Sequence, residues 1–152
     1  MGRQEGLIMI GAQAAGILGL TALLLPLAVY AGGEQVLSLT PAVDCTPTSS
    51  AGCSMTQAGY RVTLRFDAPA RSLSPLPLTL VAIPVPQKAE VRFVMTGMDM
   101  GMNRFAFRRT GSEWHARAMI PACSSGRADW IAVVCLSYPQ RIVEMRVPFI
   151  TP

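Results

Sequence analysis

The most distinctive chemistry in this chain lies in the run Val94-Met95-Thr96-Gly97-Met98-Asp99-Met100-Gly101-Met102-Asn103-Arg104, where four of the nine methionines fall within eight residues. A thioether is a soft, neutral donor that suits Cu(I) and has little attraction for Zn, Mg or Ca. Met98, Met100 and Met102 alternate, so an extended backbone points them to one face, with Met95 displaced by the turn that Gly97 permits. Methionine also fills gaps in cores, and this spacing would equally describe the buried face of one strand. The residues in between argue against that, because Gly97, Asp99, Gly101 and Asn103 are depleted in strands and common in turns. Met98, Met100 and Met102 are therefore the first candidates to bind Cu(I), with Met95 and Cys123 behind them. Asp99 either supports a ligand from behind or shapes the turn by bonding to nearby backbone amides.

Enzymatic chemistry finds little to work with. The single histidine, His115, lies in the middle of a strand-like segment and reads as a solvent-facing residue, since a lone imidazole needs company to make a metal site. There are no paired carboxylates, phosphate loop or nucleophile elbow. Asp129 reads as a loop cap or a partner for Arg127, and Trp114 and Trp130 as core. The expectation is a protein that is not an enzyme.

A chain of 152 residues holds one anchor and one domain of ordinary size. The net charge of +4 comes from twelve arginines and one lysine, scattered singly except for Arg108-Arg109, so no basic stripe suggests nucleic acid. Leu7 to Gly33 carries no charge, and the 25 residues from Leu7 to Ala31 are enough to cross a bilayer as a helix. Residues 1–33 are thus expected to be a single-pass anchor in the inner or plasma membrane, contacting lipid through residues 7–31. Arg3 before the run and Glu34 and Asp44 after it place the N-terminus in the cytoplasm and the domain outside, in a periplasmic or equivalent space. A cleavable signal peptide ending at Val29-Tyr30-Ala31 is the competing reading, and the length of the run favours retention.

Four cysteines suit an oxidising location. Cys45 and Cys53 enclose a loop of Thr, Pro, Ser and Gly that has no apolar pattern and gains most from a crosslink. For Cys123 and Cys135 a second disulfide is expected. The alternative is a free thiol near the methionines, which would bind copper as a thiolate.

The positions of these residues depend on strands. Gln35 to Thr40 reads as a short strand or extended lead-in, and residues 34–59 otherwise as linker and disulfide loop. Tyr60 to Phe66 alternates without a flaw and opens a β domain at 60–152. Further strands are expected at Leu78 to Ile83, Ala89 to Met95, Arg104 to Arg108, Glu113 to Ile120, Trp130 to Ser137, and around Val143 to Phe149. Thr110-Gly111-Ser112 supplies a hairpin. About seven short strands with regular turn signals point to an all-β, immunoglobulin-like antiparallel β-sandwich preceded by one transmembrane helix. The hairpin register brings Cys123 to the same end as Met100 and Met102.

With Phe93-Val94-Met95-Thr96-Gly97-Met98-Asp99-Met100-Gly101, followed by Trp114 after a hairpin and Pro121 before a loop, residues 60–149 resemble the YtkA-like and FixH group of exported proteins. The resemblance implies an immunoglobulin-like sandwich, often behind one membrane helix, and a role in copper handling or assembly of haem-copper oxidases. It also implies that Met95, Met98, Met100 and Met102 correspond to the group's methionine motif. The chain departs from the group at Cys123-Ser124-Ser125-Gly126-Arg127-Ala128-Asp129-Trp130 and in its cysteine pairs. The expected function is an anchored copper-binding protein that holds or passes Cu(I) to a cuproenzyme partner. The alternative is a non-enzymatic accessory subunit of a respiratory-type membrane complex, using the methionine loop as an adaptable contact surface. Oxidant sensing through methionine sulfoxide is a third.

Overall fold

The computed structural model describes residues 35–40, 45–98 and 100–152. The expected anchor at 1–33 lies outside the described residues, among which no helix is long and apolar enough to cross a membrane. The strands are β1 (Gln35–Leu39), β2 (Cys53–Gln57), β3 (Tyr60–Phe66), β4 (Pro75–Ile83), β5 (Lys88–Val94), β6 (Arg104–Ala106), β7 (Arg108–Thr110), β8 (Glu113–Met119), β9 (Asp129–Tyr138) and β10 (Arg141–Ile150). They form a β-sandwich of two five-stranded sheets, ordered β1-β10-β9-β5-β6 and β2-β3-β4-β8-β7.

Alternation explains why the sheets face each other. In β3, Val62, Leu64 and Phe66 are buried, and in β5 Ala89, Val91 and Phe93, while the residues between them are at least partly exposed. Burying a valine, leucine or phenylalanine side chain stabilises the fold by about 1.5–3 kcal/mol, so parity along each strand fixes which face turns inward. The same parity puts Trp130, Ala132, Val134 and Leu136 of β9 and Val143, Met145 and Val147 of β10 into the shared core.

Four features differ from the sequence-based expectation. β1 pairs with β10 in parallel, from Gln35 opposite Arg141 to Leu39 opposite Met145, so the sandwich is not wholly antiparallel. β2 forms where a loop was expected, because Cys53 and Met55 turn inward while Ser54 and Thr56 face solvent on an edge strand. β4 begins at Pro75 rather than Leu78; Pro75 and Pro77 are tolerated where the strand has a ladder partner only in β8. The strand expected at Arg104 to Arg108 is split. β6 pairs with β5 in one sheet, buried Phe107 follows, and β7 pairs with β8 in the other.

The registers sort the connections into two ends. The turns after β2, β4, β7 and β9, and the point where the chain enters β1, lie at one end, here the base. The opposite end, the tip, gathers residues 45–52, 67–74, 95–103, 120–128 and the C-terminal residues. Expected hairpin and observed register agree here: Thr110 lies opposite Glu113. The methionine run and the loop beginning at Cys123 therefore share the tip.

Cys45 and Cys53 form a disulfide, as the loop composition suggests. Cys123 and Cys135 are both free, which corrects the expected second bridge. Parity and distance explain this. Cys123 lies in the tip loop, whereas Cys135 stands six residues into β9, about 20 Å along the strand, on the outer face of its sheet. Opening the nine-residue ring with Cys45→Ser and Cys53→Ser together should lower stability by about 2–3 kcal/mol through loop-closure entropy. A fall in the urea midpoint, with a slope no shallower than that of the bridged protein because the opened chain unfolds to a less compact state, checks this.

Candidate functional site

The methionine run is a pinned loop with two reversals. Met98 N–H donates to Met95 carbonyl oxygen at 3.1 Å, and Asn103 N–H donates to Gly101 carbonyl oxygen at 3.0 Å. Gly97 at φ +75° and Gly101 at φ +67° occupy the left-handed region, where a side chain would strain the backbone. These reversals prevent the single alternating face that an extended run would give. Met98 is 39 % exposed and Met102 fully exposed, while Met100 is half-buried and packs against the core.

Met95 belongs elsewhere. It continues the inward parity of Val91 and Phe93 and is only 3 % exposed within the core cluster. Bringing its sulfur out to a metal would forfeit about 2 kcal/mol of apolar burial, so its part is packing. Asp99 lies outside the described residues.

Asn103 closes the loop. Its Oδ1 accepts from Phe93 N–H at 2.6 Å, and its Nδ2 donates to Phe93 carbonyl oxygen at 2.9 Å and to Met100 carbonyl oxygen at 3.3 Å. The side-chain amide thus takes the place of one more residue pair at the end of the β5–β6 ladder, which itself stops at Arg92 opposite Arg104. The sequence marks Asn103 only as a turn residue. Its extra duty depends on the β6 register, which no local signal discloses.

The second tip loop docks onto the first through Arg127. Its Nη1 donates to Thr96 carbonyl oxygen at 3.2 Å, while its Nε donates to Asp129 Oδ1 at 2.9 Å and its Nη2 bonds Asp129 Oδ2. Asp129 is thereby the expected partner of Arg127. Its carboxyl is held below the usual range, first by the hydrogen bonds from that guanidinium. Exposed ion pairs add little to stability, so the value of this one is positional. It fixes the Arg127 fork so that the remaining nitrogen reaches the methionine loop.

Cys123 begins this second loop, half-buried against the core, with Sγ 2.9 Å from Ser125 Oγ. The Ser125 hydroxyl, the Ser125 and Arg127 backbone amides and the Arg127 charge all favour the thiolate, and the pKa is lowered. Cys135 experiences the reverse: burial and the nearby Glu144 carboxylate push its thiol up, against a smaller opposing pull from Arg92 and Arg104. Of the sequence candidates, Met98, Met100, Met102 and Cys123 thus lie on two loops in contact, while Met95 and Cys135 do not join them. The Cys45–Cys53 bridge shares the tip. His115 lies on the outer face of the second sheet, with Nδ1 3.2 Å from Thr79 Oγ1 and Nε2 3.6 Å from Glu113. That hydroxyl donates to Asp67 at 2.7 Å, so it accepts from an Nδ1–H of the ring.

No protein-family model matches this chain, and no curated protein or solved structure matches it either.

Two measurements follow from this geometry. Asn103→Ala removes three hydrogen bonds and should cost about 2 kcal/mol. Amide exchange should rise in residues 95–103 and much less in β9 and β10. Because the thiolate is the reactive form, Cys123 should alkylate with a lower pH midpoint than Cys135, so its lead should be greatest towards neutral pH. Ser125→Ala should move the Cys123 midpoint upward and leave that of Cys135 in place, as read by mass-resolved alkylation across pH.

Proposed function

We propose that this protein binds Cu(I) at the tip of its sandwich and passes it as cargo to a cuproenzyme partner, with Met98, Met100, Met102 and Cys123 as the donors. The observation that carries this reading is the contact between the two tip loops. One presents exposed and half-buried thioethers, and the other a thiol whose surroundings favour the thiolate. This is a soft donor set, and it fits Cu(I) better than a hard divalent cation. Weak neutral thioethers suit transfer, because a partner's thiolate or imidazole can replace them one at a time. Cys123 adds one stronger anionic donor, and Arg127 holds its loop against Thr96.

The architecture supports the resemblance to the YtkA-like and FixH group. A four-strand run β10-β9-β5-β6 faces β3-β4-β8-β7, with β1 parallel to β10, an order in keeping with an immunoglobulin-like sandwich. The uncharged stretch from Leu7 to Ala31 supports membrane anchorage with the domain in an extracytoplasmic space.

A second reading takes the tip as the docking surface of an accessory subunit. Leu73, Met119 and Ile150 are exposed at this end alongside Met98 and Met102, so the apolar surface extends beyond the metal donors. Leu73 holds φ +59°, a region that costs a non-glycine residue on the order of 1 kcal/mol, and its N–H bonds Ile120 carbonyl oxygen at 2.9 Å. That backbone keeps a leucine turned towards solvent.

Titration of the reduced full chain in detergent with Cu(I) against a competing chelator separates the two readings. The expected result is one equivalent retained, lost on combined replacement of Met98, Met100 and Met102 by Leu and weakened by Cys123→Ser. Binding unaffected by the triple replacement would remove the copper assignment. Co-purification of that copper-blind variant with a larger membrane complex would favour the accessory subunit.

A further inference from the structure

Both ends of the sandwich leave apolar side chains in solvent, but the chain arrives from its N-terminal apolar segment at only one of them. Gln35 lies opposite Arg141, beside the Pro139-Gln140 turn, so β1 starts at the base and runs towards the tip. Only residues 32–34 separate Ala31 from Gln35, a span of at most about 14 Å even when fully extended. The apolar segment is therefore joined to the domain at the base, through a short covalent link.

The base carries side chains suited to such a surface. Val36, Ile83 and Val85 are 58 %, 55 % and 49 % exposed. Arg61 stands opposite Ile83 in the ladder, Arg141 opposite Gln35, and Arg109 beside the β7–β8 turn with Nε donating to Gly111 carbonyl oxygen at 3.0 Å. None of these three arginines makes an ion pair among the described residues. Lys88 is close by and well exposed, though paired with Glu90 at 3.1 Å, and Glu113 faces His115. Tyr60 and Tyr138 stack edge to face at 5.0 Å, and Tyr138 Oη donates to Pro84 carbonyl oxygen at 2.8 Å. Amphipathic rings and arginines around a few aliphatic residues match the level of lipid headgroups, with an apolar layer below and phosphates beside it.

We propose that the base is a lipid-contact surface: Val36, Ile83 and Val85 enter the interfacial layer of the bilayer, and Arg61, Arg109, Arg141 and Lys88 meet lipid phosphates. This rests on the reading of residues 7–31 as a retained membrane segment. β10, ten residues long, runs from base to tip, so an upright sandwich lifts the methionine loop about 33 Å from the headgroups. The tip then addresses a partner's extramembrane domain rather than the lipid.

The test uses the full chain with Cys123→Ser and Cys135→Ser, and a fluorophore on either Val85→Cys or Ser124→Cys. The protein is reconstituted into vesicles of phosphatidylcholine and phosphatidylglycerol, with lipids brominated near the headgroup as quenchers. Position 85 should be quenched and position 124 should not. Combined Arg61→Glu, Arg109→Glu and Arg141→Glu should bring position 85 down to the level of position 124, with flotation unchanged. A chain that floats with vesicles yet shows no quenching at 85 overturns the lipid contact and leaves the anchor standing. Quenching at 124 in place of 85 has the same effect, as does label-to-label energy transfer between chains without quenching, which assigns the base to a second copy. Failure to float overturns the anchor and the lipid contact with it.

Discussion

The apolar layer between the sheets is the constraint on which everything else rests. Val62, Leu64, Leu80 and Ala82 on one side meet Phe93, Trp130, Val134 and Met145 on the other, all buried. A single sheet would leave one such face wet, so each strand's parity is dictated by this layer rather than by its own propensity. Phe107 shows the constraint most directly: the chain passes from β6 in one sheet to β7 in the other across this one buried residue. The methionine loop therefore runs into a strand, β6, whose continuation is locked into the opposite sheet. Its far leg is held on two sides, and Asn103 holds the last rung.

Much of this was legible because alternation is a local signal. Tyr60 to Phe66 declares itself, and the strand limits there coincide with the observed ones. The β7–β8 hairpin is equally plain from Thr110-Gly111-Ser112. What could not be read locally is which neighbour a strand chooses. The parallel pairing of β1 with β10 joins residues about a hundred positions apart, and nothing within five residues of sequence encodes it. The break at Phe107 is hidden for a related reason, since the alternation runs straight through a change of sheet. β2 carries a faint local signal because an edge strand needs only two inward residues, and its outward Ser54 and Thr56 look like loop.

The tip is partly legible for the same physical reasons. Convergence of the methionine run and the Cys123 loop followed from hairpin register, a property of strand ends. Their contact depends on Arg127 reaching Thr96 carbonyl oxygen, a choice made by a long side chain in three dimensions. Met95 illustrates a signal present but divided: its chemistry groups it with the other methionines, while its parity groups it with Val91 and Phe93. Burial follows parity. Cys135 is similar, since Trp130, Ala132, Val134 and Leu136 claim the inward positions of β9 and leave it on the outer face, far from Cys123.

The parallel ladder between β1 and β10 also governs how the domain bears load. A pull between Gln35 at the base and the far end of β10 runs along both strands in opposite senses, so the five register pairs are strained together rather than one after another. A ladder stretched in shear resists far more than one peeled open from an end, because no single pair can give way first. The domain is thus clasped along β1 and β10 against any force applied between its first strand and its last.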